Sequence, residues 1–442
     1  MPISYHPVQS GDADGGAVKC YSQIADILSR APAKGHRAEQ HNFWRLLRAS
    51  QSDQAAFVKA LGPDDLLISN VGPYAHFYHY MREKFGGEFR IIRDIRTSSW
   101  AGFWLQELYA GPMTRPGDTV LFPSEFCRQH TMNLFPKSLC ASNTVVCYPL
   151  AASFPETVQR RAGSGLRIGF LGRISDGKNA SQLLTVFAKL CREVGDQTSL
   201  ELAGPFDPNS RLASERALRR DATRLGIPEK DIRCWGNLPY EQIWDFLGAV
   251  DLLFFPSLAN VESMGRILVE AARARIPVVA ATYAAAPELV PRNNLIRTRY
   301  RIHKTWQTNG LFSFGEVDED DAVNSLLHAE VDDDISRRPE YQESAFWDVV
   351  EGNRGQNASP VLNPVIKAFI QSAVVEPWRE INLETSVQEC GELLRRWRTT
   401  RIVGSQIILG NARRHCRQAG FEPTIELRPS ADAARLLEAQ IP

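Results

Sequence analysis

FFPSLANVESMGRILVEAARARIPVVAATYAAAPELV, residues Phe254–Val290, reads as an apolar strand, a short polar loop, an amphipathic helix and a second apolar strand. The strand is Asp251–Phe255, the helix Met264–Ala274 and the returning strand Pro277–Ala281. A strand, helix and strand joined by short loops form one unit of a parallel sheet. Glu262 precedes the helix and Glu270 lies within it, eight positions on. At the helical rise their carboxylates stand roughly 12 Å apart along the axis. That separation suits two hydroxyl-bearing groups at opposite ends of one ligand, such as a sugar and a ribose bridged by a diphosphate. It does not suit one metal ion or an acid/base pair. Between the two carboxylates, Ser263, Met264 and Gly265 offer free N–H groups at the helix start, where phosphate is favoured.

Upstream, LRIGFLGRISDGKN (Leu166–Asn179) is a buried strand ending at Gly172, a polar loop and the start of a helix. Such a turn aims amide groups and a helix dipole at an anion, and Arg173 and Lys178 add two cations. Gly172–Lys178 also approaches the GxxxxGK phosphate loop, but Asn179 stands where a magnesium-holding hydroxyl is required.

The same alternation of apolar runs and helical segments extends in both directions. Before it we expect strands at Ile3–Val8, Asp65–Asn70, Phe89–Ile95, Thr119–Phe122 and Thr144–Tyr148. Helices are expected at Ala17–Ser29, around Phe43–Leu61 and at Tyr74–Phe85. After a polar linker, Pro155–Gly165, a second series starts at strand Leu166–Leu171. It continues with helix Ser181–Val194, strand Ser199–Ala203, helix Ser214–Leu225, strand Ile232–Trp235 and helix Tyr240–Leu247. Further helices are expected near Ala322–Ala329, Val365–Ser372, Ser386–Trp397 and Gly404–Gln418. Two doubly wound α/β halves facing across a cleft are the architecture this order implies.

In order and spacing, the second half resembles the retaining nucleotide-sugar glycosyltransferases of GT-B fold that carry an E-x7-E motif. The matching pieces are Gly172–Arg173 with Lys178, Ala203–Gly204, Trp235–Gly236–Asn237–Leu238, Ala249–Asp251 and Pro256–Ser257. They continue with Glu262, Gly265, Glu270, Pro277–Ala280 and Pro287–Glu288–Leu289. The first half matches more loosely, through Gly15–Gly16 before a helix and Pro123–Ser124–Glu125.

The resemblance implies a donor site and a division of the chain. An N-terminal acceptor-side domain takes 1–155 and a donor-side domain takes 166–380. A helical C-terminal segment, 381–442, returns to the first domain. Arg173 and Lys178 neutralise the donor diphosphate. Glu262 holds a donor-sugar hydroxyl beneath the reacting carbon, and Glu270 accepts from the ribose hydroxyls. The main chain at Asn237 and Leu238 meets the base, and Gly15 and Gly16 let the first-domain backbone approach the phosphates. The expected reaction transfers a sugar, with retention, from a nucleoside diphosphate sugar to a hydroxyl of a glycan, lipid-linked or small-molecule acceptor. A UDP-sugar is favoured as donor and GDP-mannose comes second. No metal and no cofactor are implied, and the acidic runs Asp318–Asp321 and Asp332–Asp334 are left without a role. The chain departs from the family pattern where a first-domain histidine is common, since it reads Asp94–Ile95–Arg96; either Asp94 or Arg96 takes that place. Arg266 follows Gly265 where an apolar residue is commoner.

Composition narrows the alternatives. In 442 residues, 43% are apolar and 23% charged, the profile of a folded globular protein of two or three domains. Lys plus Arg and Asp plus Glu are both 51, which argues against a protein held to nucleic acid by bulk charge. The eight cysteines form no CxxC pair and read as thiols of a reducing compartment. With no secretory signal and no membrane-length apolar run, the expected location is the cytoplasm. One segment, 35–51 (GHRAEQHNFWRLLRASQ), mixes cations with Phe43, Trp44, Leu46 and Leu47. As an amphipathic helix it would rest on the inner face of a membrane; the balanced charge favours an ordinary core-packed helix. His76 and His79 are expected to have a surface or capping role. A magnesium-dependent P-loop NTPase and a non-catalytic GT-B partner of another glycosyltransferase are the rival readings.

Overall fold

The computed structural model describes residues 1–353 apart from 8–15, 73, 99–102, 104–105, 108–109, 136–138, 140–142, 162–164, 196–197, 260, 301–312, 314 and 332–333; beyond 353 it describes only Ala373–Val375 and Ile425–Leu427. The helices expected at Val365–Ser372, Ser386–Trp397 and Gly404–Gln418 fall outside the described residues. All of the proposed 381–442 segment except Ile425–Leu427 does as well.

Two six-stranded parallel sheets organise the molecule. The first contains β1 (Pro2–Tyr5), β2 (Arg37–Gln40), β3 (Leu66–Ile68), β4 (Arg90–Asp94), β5 (Thr119–Phe122) and β6 (Thr144–Val146), in the order β2-β1-β3-β4-β5-β6. The second contains β7 (Leu166–Leu171), β8 (Thr198–Ala203), β9 (Ile232–Gly236), β10 (Leu252–Phe255), β11 (Val278–Ala281) and β12 (Leu295–Ile296), in the order β12-β11-β10-β7-β8-β9. Chain order reverses between β1 and β3 in the first sheet and between β7 and β10 in the second. Ligands of open α/β sheets sit at such reversals, beyond the carboxyl ends of the strands. The loops that follow β7 and β10 are Gly172–Asn179 and Pro256–Gly265, the two stretches singled out above.

The central strands are buried on both faces, which explains their near-continuous apolar sequences: LLFF in β10 and VVAA in β11 are buried throughout. The helices that cover them include α1 (Gly16–Ser29), α2 (Phe43–Leu47), α3 (Gln51–Lys59), α4 (His76–Phe85), α5 (Glu125–Leu134) and α6 (Ala180–Val194). In the second half follow α7 (Glu215–Arg224), α8 (Ile243–Ala249), α9 (Arg266–Arg273), α10 (Ala286–Leu289), α11 (Glu319–Leu327) and α12 (Glu343–Val350).

Three expectations need correction. The segment 35–51 is not one helix: it holds edge strand β2, then α2 capped by Asn42, with Ser50 capping α3. Two N-caps within nine residues end any continuous helix there. Phe43 and Leu46 face the first-half core, and Trp44 and Leu47 pack half-buried against it. His76 and His79 are not at the surface, because α4 is buried from His76 to Arg82. Burial and the neighbouring Arg93 and Arg82 hold the His79 imidazole well below its ordinary pKa, against the pull of Asp118. Strand β1 ends at Tyr5 rather than running on to Val8.

The chain also crosses back. Helix α12 lies against the first half: Arg30 Nη2 reaches Glu343 at 2.6 Å, Arg90 Nη2 donates to the Val350 carbonyl at 3.2 Å, and His36 stacks on Trp347 at 5.5 Å. No described helix is long and apolar enough to cross a membrane.

Candidate donor site at the sheet reversal

Two glycines let the backbone converge where β7 and β8 end. Gly172 has φ +150° and Gly204 φ +131°, and a Cβ on Gly204 would stand 2.1 Å from the Gly172 carbonyl oxygen. No residue other than glycine fits there. The loop after Gly172 leads into α6 through Asn179, itself left-handed at φ 53°. The Asn179 amide donates to the carbonyls of Pro256 (3.0 Å) and Gly315 (3.4 Å). This residue therefore ties the β7 loop to the β10 loop through its amide nitrogen.

Tying the two loops brings Lys178 to Glu262. Their side chains form an ion pair, and Ser257 Oγ donates to the same Glu262 oxygen at 2.9 Å. The Lys178 ammonium also lies 5.4 Å from the centre of the Phe255 ring. Arg173, from the same loop, is exposed and has no hydrogen-bond or ion-pair partner among the described residues. Past Glu262 the chain turns through Ser263, Met264 and Gly265, where φ +76° at Gly265 starts α9. No side chain caps that helix, so its first amides stay open to a ligand. Glu270, 3% exposed, follows one turn into α9 and accepts from Arg266 Nε at 2.5 Å. Asn237 and Leu238 follow β9 at the same edge of the sheet, Asn237 exposed and Leu238 half-buried. Gly15 lies outside the described residues, and Gly16 opens α1.

The first half meets this loop directly. Ser98 Oγ donates to the Glu262 carbonyl (2.6 Å), Ser263 Oγ to the Arg96 carbonyl (2.6 Å) and Ser124 Oγ to the Ser263 carbonyl (2.5 Å). Asp94 and Arg96 stand at and just beyond the end of β4, buried and paired with each other through Arg96 Nε at 2.5 Å. Burial raises the Asp94 carboxyl above its ordinary value while Arg96 pulls it back. Both residues named for the missing histidine therefore lie beside the β10 loop, paired with each other.

Sequence reasoning brought Arg173, Lys178, Glu262, Ser263, Met264, Gly265 and Glu270 to one edge, and the structure puts them there. It did not anticipate Ser257 on Glu262, the serine contacts from Ser98 and Ser124, or what Glu288 touches. The Glu288 carboxylate accepts from the amides of Glu125 (3.0 Å) and Phe126 (2.6 Å) at the start of α5. Apart from Ser257, five positions from Glu262, these partners are far apart in the chain, and serine carries no periodic signal. Among the described residues no group of three or more His, Cys, Asp or Glu side chains could hold a metal ion.

Residues 158–308 match the family model described as glycosyl transferases group 1. Among solved structures the chain is similar to Anabaena Alr3699/HepE in complex with UDP. The identity is 17% and the TM-score 0.52, over 89% of this chain and 100% of that one. The same protein in complex with UDP and glucose gives 16% and 0.51, over 89% and 99%. The lipopolysaccharide outer core galactosyltransferase WaaB in its apo form gives 16% and 0.51, over 80% and 99%. At these identities the likeness is one of fold, and the fold is that of GT-B glycosyltransferase structures. No curated protein matches the chain in sequence.

Proposed function

We propose that this chain is a retaining glycosyltransferase that moves a sugar from a nucleoside diphosphate donor to an acceptor hydroxyl. A UDP-sugar is the favoured donor, GDP-mannose the second, and the acceptor is a glycan, a lipid-linked saccharide or a small molecule. The observation that carries the reading is the meeting of Lys178, Ser257 and Glu262 at the β7/β10 reversal, with Glu270 one turn into the helix that starts there.

Each group has a task in such a reaction. Breaking the glycosidic bond puts negative charge on the departing diphosphate, and pre-placed cations and open amides stabilise that charge without reorganising. Arg173, Lys178 and the start of α9 supply them. The Glu262 carboxylate, aligned by Ser257, accepts from a sugar hydroxyl and holds the ring beneath the acceptor. Glu270 takes the ribose. Because cations and amides face the diphosphate, the reaction needs no divalent metal. Closing the two halves over the donor keeps water from the activated sugar. We place the donor side at 166–380, the acceptor side at 1–155, and the enzyme in the cytoplasm.

Calorimetric titration with UDP, GDP and ADP, each in EDTA and in magnesium, tests the binding half. Micromolar binding of one diphosphate in EDTA is expected; binding of a triphosphate alone, and only with magnesium, overturns the reading. Lys178→Ala and Glu262→Ala are expected to lower transfer at least about a hundredfold in protein that still folds. Near-normal turnover in either variant removes the site assignment.

A further inference from the structure

The tasks just assigned leave out the cation that opens α9. Arg266 Nε is bonded to Glu270, and its guanidinium stacks 4.6 Å from the centre of the Tyr240 ring. Its Nη1 and Nη2 are shut off from solvent and make no hydrogen bond. Arg96 repeats the arrangement from the first half. Its Nε is bonded to Asp94, its guanidinium lies 4.8 Å from the Tyr148 ring, and its buried Nη2 has no hydrogen-bond partner. Cys20 and Tyr148 each feel the charge of both guanidiniums.

Buried polar nitrogens left without acceptors are costly, and an arginine held by Nε alone keeps the outer fork that matches two phosphate oxygens. The place of the fork on α9 says which phosphate. Arg266 lies one turn before Glu270, the ribose ligand in the proposed function, and directly after the open amides that face the diphosphate. A group between those two points meets the phosphate next to the ribose. The remaining cations do not cover it, because Arg173 and Lys178 both stand on the β7 loop, with Lys178 drawn toward the sugar-side carboxylate Glu262.

We propose that Arg266 is a clamp for the donor phosphate bonded to the ribose, separate from the Arg173/Lys178 pair that serves the outer phosphate. The clamp rests on the donor reading above. It also links two binding events, since one guanidinium holds the ribose-binding Glu270 carboxylate through Nε and the phosphate through Nη1 and Nη2. Nucleotide and ribose contacts are then set by a single side chain.

Uridine, UMP and UDP separate the contributions, because each adds one phosphate to the last; the guanosine series replaces them if the wild type prefers GDP. We expect wild-type affinity to rise at both steps. Arg266→Gln should remove most of the gain from uridine to UMP, about ten- to hundredfold, and leave the gain from UMP to UDP within about threefold. Glu270→Gln should weaken all three ligands alike, the signature of a lost ribose contact. Arg266→Lys, which keeps the charge without the fork, should retain part of the UMP gain and serves if Arg266→Gln does not fold. If Arg266→Gln weakens uridine as much as UMP, Arg266 acts only by positioning Glu270 and the clamp is overturned. Loss confined to the UMP-to-UDP step, or no loss, overturns it as well. A wild type that binds no nucleoside diphosphate fails the donor reading itself, a different result from a wild type that binds UDP and an Arg266→Gln variant that binds UMP equally well.

Discussion

Lys178 and Glu262 are each other's partner before any ligand arrives. Their side chains are 19% and 10% exposed, so the pair is largely withdrawn from water, with Ser257 as the remaining donor to Glu262. Removing one member leaves the other buried and uncompensated; removing both does not. We therefore expect Lys178→Met and Glu262→Gln to cost more in sum than the double variant costs, by about 1–3 kcal/mol in urea denaturation. Strict additivity would mean the two do not share an environment. Lys178, Glu262 and Ser257 were each legible in the sequence because each sits in a loop of recognisable spacing, but their mutual contacts were not. Ser98 was not legible at all, since a serine is common everywhere and this one reaches Glu262 across 164 positions of chain.

Secondary elements show a similar division. Strands Thr119–Phe122 and Leu166–Leu171 were read to the residue, the first buried throughout and the second carrying a buried apolar centre, Ile168–Phe170. Edge strand β2 carries the sequence RAEQ and has no apolar signal, as its side chains are almost all exposed; only its pairing to β1 makes it a strand. Helix α5 was missed because its start is marked by a Ser124 cap and by Glu288 from the other half, not by a strong apolar stripe. Where β7 and β8 end, by contrast, a single residue type is imposed. Gly204→Ala should destabilise the protein by more than about 2 kcal/mol, because its Cβ collides with the Gly172 backbone and its φ is one that alanine avoids. A melting temperature equal to wild type would show that the two strand ends can separate freely.

On the scale of the whole molecule, Glu288 joins the halves by closing the amide end of α5. Its carboxyl is pushed up to about 8 by burial, with the Glu125 charge adding to the shift and the two amides opposing it. Between its ordinary value and about 8 the folded protein holds a proton that the unfolded chain releases. Its stabilising share is accordingly full in acid, falls as pH rises through this range, and is lost above it. Glu288→Gln should therefore gain melting temperature relative to wild type as pH goes from about 5 to 8; a constant difference between the two proteins would sink the assignment. The two-sheet plan was legible because its signals are local, repeated and additive along the chain. What escaped the sequence is how the halves touch, which depends on contacts such as Arg30 with Glu343 that leave no trace in spacing.

Ser98, Ser124 and Ser263 give one loop two owners. The loop belongs by sequence to the second half, yet its peptide groups are held by hydroxyls of the first, and it answers with a hydroxyl of its own. The halves of this chain are thus not interchangeable cassettes. A recombinant that grafts a foreign first half at the Pro155–Gly165 linker would inherit every donor-side carboxylate and cation and still lose the anchorage of Glu262. Diversification of the acceptor half is bounded by that shared seam, and new acceptor preferences have room to arise in the loops around it, not in the serines that form it.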